Sequence, residues 1–294
     1  MKPPKFDYHR PTTLAEALEL LERYGDDGKV MAGGQSLMPL LSMRLSRPAA
    51  IIDINALGEL AYLRRTDGHV AVGALTRQRL LESDPTIAEA LPVLGEVVQY
   101  IGHVPIRNRG TVGGSLAHAD PAAELPAVMT ALDATFTATG RGGARQIPAA
   151  QFFAGYFTTA LRPTELLTAV EVPALAPTAG FAFEELARRH GDFAIVAALA
   201  VVELDGGGRC SSVRLSVAGA GPTPVRLRAV EARLTAAEPT PEVIRAAAET
   251  AGEQLEPVSD IHASADYRRE MVRVLTRRSL LRAVERARAQ GVSK

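Results

Sequence analysis

Apolar residues along the chain recur at two spacings, and the alternation between them predicts the elements. Leu14, Ala17, Leu18 and Leu21 fall on one helical face. Thr13 with Glu16 makes a capping-box pattern ahead of them and Gly25 stands where a helix stops, so a helix is expected over about residues 14–24. KVMAGG then reads as a short strand entering a glycine turn, and AAIIDIN (49–55) and HVAVGAL (69–75) read as further strands, the second alternating with period two. From Thr76 to Gly102 the helical spacing returns, with Thr76 and Asp84-Pro85 as starts of two helices. Another helix is expected near 122–132, and strands near 134–139 and 166–172.

The proline-rich VPALAPTAG (172–180) reads as a boundary. Beyond it FAFEELARR, FAIVAALAVVEL and VRLSVAGAG suggest three sequential strands in an antiparallel meander, followed by a helix opened by Thr240-Pro241-Glu242 and another over about 264–289. Strands and helices mix without the regular alternation of a doubly wound sheet, which favours an α+β fold. A length of 294 residues suits about two domains, divided here as 1–175 and 176–294.

Composition narrows the function. Hydrophobic residues at 47% and charged residues at 22% are those of a globular chain, and 33 basic against 33 acidic residues leave no net field to attract nucleic acid or an anionic membrane. The single cysteine, Cys210, follows GGGR at an expected hairpin tip and cannot by itself hold an iron–sulfur cluster or a structural zinc. The longest apolar run, residues 193–204, is too short to span a bilayer and suits a buried strand. MKPPKFDYHRPTTL has neither the apolar stretch of a secretory leader nor twin arginines, so a reducing cytoplasm is the expected location.

Two motifs carry chemistry. MAGGQSLMPLL (31–41) and RNRGTVGGSLAHADPAAELP (107–126) each set a glycine pair, followed closely by a serine, among apolar neighbours. A pyrophosphate needs close backbone approach and converging N–H donors, which Gly33-Gly34 and Gly113-Gly114 would allow, with Ser36 and Ser115 adding hydroxyls. Neither motif has the lysine of a P-loop or the spacing of the usual dinucleotide fingerprint. Taken singly, each pair reads first as a tight turn without a ligand; two segments of the same design, each flanked by apolar residues, move the balance towards a ligand. Arg107 and Arg109 fit phosphate contacts or loop-shaping salt bridges. His118 with Asp120 lacks the ligand count that zinc requires.

Together these motifs, with RRHGDFAIVAALAV and SDIHASADYRREMVRVLTRRSL, closely resemble the FAD-binding medium subunit of the molybdenum hydroxylases, such as aerobic carbon monoxide dehydrogenase and the FAD-binding part of xanthine dehydrogenase. The resemblance covers nearly the entire chain. It implies an FAD domain of the vanillyl-alcohol-oxidase or p-cresol-methylhydroxylase type, in two parts of about 1–56 and 57–175. A three-stranded antiparallel sheet with a helical bundle would follow. It implies that Ala32, Gly33, Gly34, Gln35 and Ser36 wrap one side of a noncovalent FAD diphosphate, with Leu37 beside them, and that Thr111, Gly113, Gly114 and Ser115 wrap the other. Glu124, and Asp120 as a second acidic candidate, would hydrogen-bond FAD; Ile101, Leu167 and Phe193 would lie near the flavin. Glu184 stands where xanthine dehydrogenases carry lysine, which argues against borrowing their NAD chemistry.

The implied route runs from a molybdopterin large subunit through two [2Fe–2S] clusters on a small subunit to FAD and an external acceptor. The assembly would be a dimer of heterotrimers, able to lie against the inner face of the membrane. No acid, base or nucleophile of this chain is expected to act on substrate. A stand-alone FAD-dependent oxidase or dehydrogenase, and a scaffold that has lost FAD, are the alternatives.

Overall fold

The computed structural model describes residues 2–291. The chain begins with β1 (Asp7–His9), α1 (Leu14–Tyr24), β2 (Gly28–Met31), α2 (Leu37–Ser42) and β3 (Ala50–Asp53). β1 and β2 flank β3 in a parallel three-stranded sheet, ordered β1-β3-β2. The expected first helix forms with its cap: Thr13 Oγ1 accepts from the Glu16 N–H at 3.2 Å, while Glu16 Oε2 accepts from the Thr12 N–H at 2.8 Å. Ala17, Leu18 and Leu21 bury the inner face of α1 with Ile52, Ile54 and Leu57, which fixes where β2 and β3 end.

A five-stranded antiparallel sheet follows, built from β4 (Leu63–Thr66), β5 (His69–Gly73), β6 (Thr135–Gly140), β7 (Gly143–Pro148) and, after α8 (Ala149–Phe152) and a small hairpin β8 (Phe153–Gly155) and β9 (Thr158–Thr159), β10 (Leu166–Pro173). Its order is β4-β5-β10-β6-β7. Between β5 and β6 lie α3 (Pro85–Ala90), α4 (Pro92–Val97), α5 (Val104–Arg109), α6 (Val112–His118) and α7 (Glu124–Ala131). The helical stretch expected from Thr76 opens instead as a 3-10 turn at Gln78–Glu82; Asp84 caps α3, and Pro92 restarts the chain as α4. The second glycine pair is not a loop: Gly113 and Gly114 lie in the first turn of α6, capped by Thr111.

The last part of the chain is the expected meander, β11 (Gly180–Leu186), β12 (Val196–Leu204) and β13 (Cys210–Ala218), with a two-residue edge strand β14 (Val225–Arg226). The helices α9 (Arg228–Leu234), α10 (Pro241–Glu249) and α11 (Ala265–Gly291) cover it. The sheet is buried on both faces, one against α9 to α11 and the other against α7, which is why β12 reads as an unbroken apolar run. Polar ties close the seam with the preceding part: Ser216 Oγ donates to the Ala127 carbonyl at 2.8 Å, the Gly219 N–H to the Pro121 carbonyl at 2.9 Å, and Arg286 to both oxygens of Glu96 at 3.0 Å. Among the described residues no helix is long and apolar enough to cross a membrane.

At Gly180 β11 packs tightly on α11: an added Cβ would sit 2.0 Å from the Ala283 carbonyl oxygen and 2.3 Å from the Ala287 nitrogen, both backbone atoms of α11. Gly180→Ala is therefore expected to cost about 1–3 kcal/mol in denaturant unfolding by prying α11 off β11. Gly206→Ala, where a Cβ meets nothing within 4 Å, is the control and should stay within about 0.5 kcal/mol of the parent. Equal stability of both variants would contradict this packing.

Candidate functional site

The two glycine segments, one after β2 and the other in the turn from α5 into α6, meet with backbone against backbone. Gly33 lies so close to the stretch before α6 that a Cβ there would be 2.4 Å from the Arg109 carbonyl oxygen and 2.8 Å from Gly110 Cα. Gly34 takes φ +72°, the left-handed region that glycine adopts without steric cost. Gly113 would drive a Cβ into Ala74 at 2.4 Å, and a Cβ on Gly114 would crowd Thr111 Oγ1 while standing 3.7 Å from Ala32 Cβ. The glycines are thus needed first for close packing of the chain on itself.

The segments differ in what their N–H groups do. In the second, Val112 donates to the Thr76 carbonyl, Gly113 to the Ala74 carbonyl, Gly114 to Thr111 Oγ1 and Ser115 to the Thr111 carbonyl, at 2.8 to 3.1 Å. In the first, the N–H groups of Gly33, Gly34, Gln35, Ser36 and Leu37 find no acceptor among the described residues. Gly33 is buried and the next four residues partly so. Such groups must be met by water or by an anionic ligand. On the second segment the polar atoms left to offer are the Ser115 hydroxyl and the proton of the buried Thr111 hydroxyl.

A polar network that the sequence reading missed braces this junction. Tyr8 donates to Asp53 Oδ2 at 2.5 Å, and Asn55 Nδ2 donates to Asp53 Oδ1 and to the Ala32 carbonyl, both at 2.6 Å. Asn55 Oδ1 accepts from Arg77 Nη2 at 2.7 Å, and Arg77 Nη1 donates to the Arg109 carbonyl. Burial works against ionisation of Asp53, but the hydrogen bonds from Tyr8 and Asn55 outweigh it and hold the carboxyl below its ordinary range. The one local signal was the polar Asp53 and Asn55 closing an apolar strand; nothing near Arg77 in sequence points to this role.

Helix α6 runs from the junction towards a cavity, and its seven residues span about 10 Å. The cavity has a volume of about 440 Å³. Its lining includes Asp120 and Ala122, the rings of Tyr156, Phe157 and Phe193, Ile195, Val258 and His262, and the ion pair of Arg188 with Asp192. Ala119 and Phe157, both non-glycine residues at φ near +50° (+51° and +52°), meet at its edge, where the Phe157 N–H donates to the Ala119 carbonyl. Phe193 is 58% exposed at the mouth. Arg268 frames the floor by donating to the Gly219 carbonyl at 2.8 Å, the Ile195 carbonyl at 2.5 Å and Asp260 at 2.6 Å; burial opposes ionisation of Asp260, yet these bonds and its backbone donors draw it down to about 2. A smaller cavity of about 270 Å³ beside the β6–β7 turn is lined by Glu22, Arg141, Arg145, Arg162 and Glu165, whose charges pair among themselves.

The other expected residues divide. Ile101 is partly buried against the main core, its carbonyl held by Arg107, which also pairs with Glu82 at 2.7 Å; Arg107 therefore shapes the loop by a salt bridge. Arg109 is exposed. Leu167 is 3% exposed, its side chain in the core, and its backbone adjoins a register shift in β10. Glu184 pairs with Arg282.

Glu124, 5% exposed at the start of α7, and Glu185, partly buried at the end of β11, are close enough that the charge of Glu124 raises the Glu185 pKa. Burial pushes Glu124 up to about 7, with Asp120 adding to the rise, and pushes Glu185 up to about 8; Glu185 Oε2 has no hydrogen-bond partner among the described residues. Asp120 is also raised by burial, against the pull of the Ala122 N–H, and His118 is lowered by burial. Because the folded chain keeps these two glutamate protons beyond the ordinary value near 4.5, the stability they leave intact at low pH is lost as pH rises through about 7 to 8. Measured on nucleotide-free protein, Tm should fall between about pH 5 and about pH 9, and Glu185→Gln should flatten that fall by about half. An unchanged slope would contradict the pairing.

Comparison with known proteins adds to this geometry. Residues 4–175 match the model of the FAD binding domain in molybdopterin dehydrogenase, and residues 181–283 that of the CO dehydrogenase flavoprotein C-terminal domain. The chain is 46% identical over 288 residues to the alpha subunit of the 6-hydroxypseudooxynicotine dehydrogenase complex of Paenarthrobacter nicotinovorans, covering 98% of this chain and 97% of that one. It superposes on the carbon monoxide dehydrogenase of Hydrogenophaga pseudoflava, in a form lacking the Mo-pyranopterin moiety, with a TM-score of 0.95 and 38% identity, over 97% and 99% of the two chains. Quinoline 2-oxidoreductase from Pseudomonas putida 86 gives a TM-score of 0.93 at 37% identity, over 98% and 99%. The chain thus belongs to the FAD-binding medium subunits of the molybdenum hydroxylase family, whose members serve in multi-subunit dehydrogenases.

Proposed function

We propose that the chain binds FAD noncovalently across the junction of its glycine segments and relays electrons from the [2Fe–2S] clusters of a partner subunit to an external acceptor. The observation that carries this reading is the row of five unengaged N–H groups, Gly33 to Leu37, set against a second segment whose own donors are already used. These N–H groups would hold the pyrophosphate, with Ala32 beneath them and Ser36 and Ser115 adding hydroxyls, while Thr111, Gly113 and Gly114 shape the opposite wall. An anion is met there by fixed dipoles that need no reorganisation.

Asp120, on the cavity wall, and the buried Glu124 would hydrogen-bond the flavin end, and Ile101, Leu167 and Phe193 would be its apolar and backbone neighbours. When bound, FAD supplies two-electron and one-electron redox chemistry, and the chain sets its position and surroundings. The raised pKa of Glu124 would let it donate a hydrogen bond near neutral pH. The chain's one cysteine, Cys210, is buried, and a cluster needs several thiolates, which is why the iron–sulfur centres are assigned to a partner. A molybdopterin-bearing large subunit would complete a heterotrimer, paired as a dimer, in the cytoplasm. Residues 1–175 would act as the FAD unit, in parts of about 1–56 and 57–175, and 176–294 as the unit that closes the cavity.

FAD titration of the purified chain should yield a yellow protein with the visible flavin band. Gly33→Ala, which forces Arg109 and Gly110 away, should bind at least about tenfold more weakly. In the copurified complex, substrate of the large subunit should bleach the flavin, and should fail to do so for the isolated chain. A chain that is colourless once unbound FAD has been removed favours a scaffold; bleaching of the isolated chain by an organic substrate favours a stand-alone dehydrogenase.

A further inference from the structure

Arg77 stands where no motif would place a functional residue, at the start of the 3-10 turn after β5. Its guanidinium forks between two acceptors that belong to different halves of the site. One prong reaches Asn55 Oδ1 at 2.7 Å, and Asn55 in turn holds the Ala32 carbonyl at 2.6 Å, just before the unengaged N–H row. The other prong reaches the Arg109 carbonyl, the same oxygen against which Gly33 packs. Asn55 is itself fixed by Asp53 at the end of the buried strand β3, and Asp53 by Tyr8 from β1. A planar cation with divergent donors suits this bridge; an ammonium on a flexible stem can satisfy only one end well.

Charge supports the same role. Neither Arg77 nor Arg109 has a carboxylate within ion-pair distance among the described residues; burial and then the positive charge of Arg109 weigh against the Arg77 charge, with Asp53 the acidic group near enough to favour it. The junction is therefore short of negative charge at the place where five N–H groups lack an acceptor among the described residues.

We infer that Arg77 and Asn55 are positioning residues that fix the gap between the two glycine segments and so set the affinity for the pyrophosphate of the dinucleotide. The inference rests on the FAD reading above and adds to it two residues that lie outside both glycine motifs. They act through the Ala32 and Arg109 carbonyls rather than on the phosphate. A rigid gap keeps the N–H row aimed at one point, and loss of the bridge lets the segments part and the donors diverge.

The test uses the full chain with FAD and with ADP, which carries the pyrophosphate without the flavin. Arg77→Ala should weaken both ligands by about 10- to 100-fold, the loss usual for a hydrogen-bonded charged group, while the Tm of the ligand-free protein stays near that of the parent. Methylguanidinium added to Arg77→Ala should recover much of the affinity. Arg77→Lys, which keeps the charge but not the fork, should remain about tenfold weak, and it carries the test if Arg77→Ala does not fold. Asn55→Ala combined with Arg77→Ala should be no weaker than the worse single variant, because both break one bridge. Parental affinity in Arg77→Lys, or additive losses in the pair, would overturn the positioning role. A parent chain that binds neither FAD nor ADP would instead overturn the FAD reading, and this inference with it.

Discussion

Where Gly33 lies against the Arg109 carbonyl and Gly110, the segment after β2 and the link between α5 and α6 touch with no side chain between them, and most of the site follows from that contact. It requires the parallel sheet of β1 to β3 to present the end of β2 directly over the turn that leads into α6. It requires glycine at 33, because any Cβ would overlap the opposing backbone. It leaves the N–H groups that follow with nothing to bond on the protein side. The Tyr8, Asp53, Asn55 and Arg77 chain then holds the arrangement from below.

The same contact gives the seam between the sheets its direction. Helix α6 starts at the junction, with its donors spent on Thr76, Ala74 and Thr111, and ends at Ala119 and Asp120 on the wall of the cavity. The C-terminal sheet closes that cavity through the Gly219 to Pro121 hydrogen bond and the buried Arg268. One end of the site is thus built of backbone dipoles, and the other of aromatic rings, the Asp120 carboxyl and the ion pairs of Arg188 with Asp192 and Arg268 with Asp260. Such a division suits a ligand with a dianionic middle and a planar ring at one end. It also suits a chain that brings few reactive side chains of its own, whose proposed contribution is position and a local field.

Much of this was legible in the sequence wherever the signal was local. The capped helix at Thr13, the Asp84-Pro85 start, the three long strands of the meander and the Thr240-Pro241 start all depend on neighbours a few residues apart, and the structure forms them. The glycine segments were visible as motifs, but their physical meaning was only half visible. Residue type could not tell that Gly113 and Gly114 sit in a helical turn whose N–H groups are engaged, nor that Gly33 serves a contact with a residue far along the chain. Arg77 and Asn55, Glu185 beside Glu124, and the Tyr156 and Phe157 rim were not found for the same reason. Their partners come together only through tertiary packing, and no spacing within the chain encodes that.

The central claim is that the N–H groups of Gly33 to Leu37 hold the negatively charged link between two nucleotide halves. A crystal structure of the chain with FAD tests it most directly. The account requires phosphate oxygens within about 2.7–3.2 Å of several of those nitrogens, with the flavin ring reaching the cavity beside Asp120 and Phe193. Density for FAD elsewhere on the chain, or bound with those five nitrogens still facing water, would contradict it.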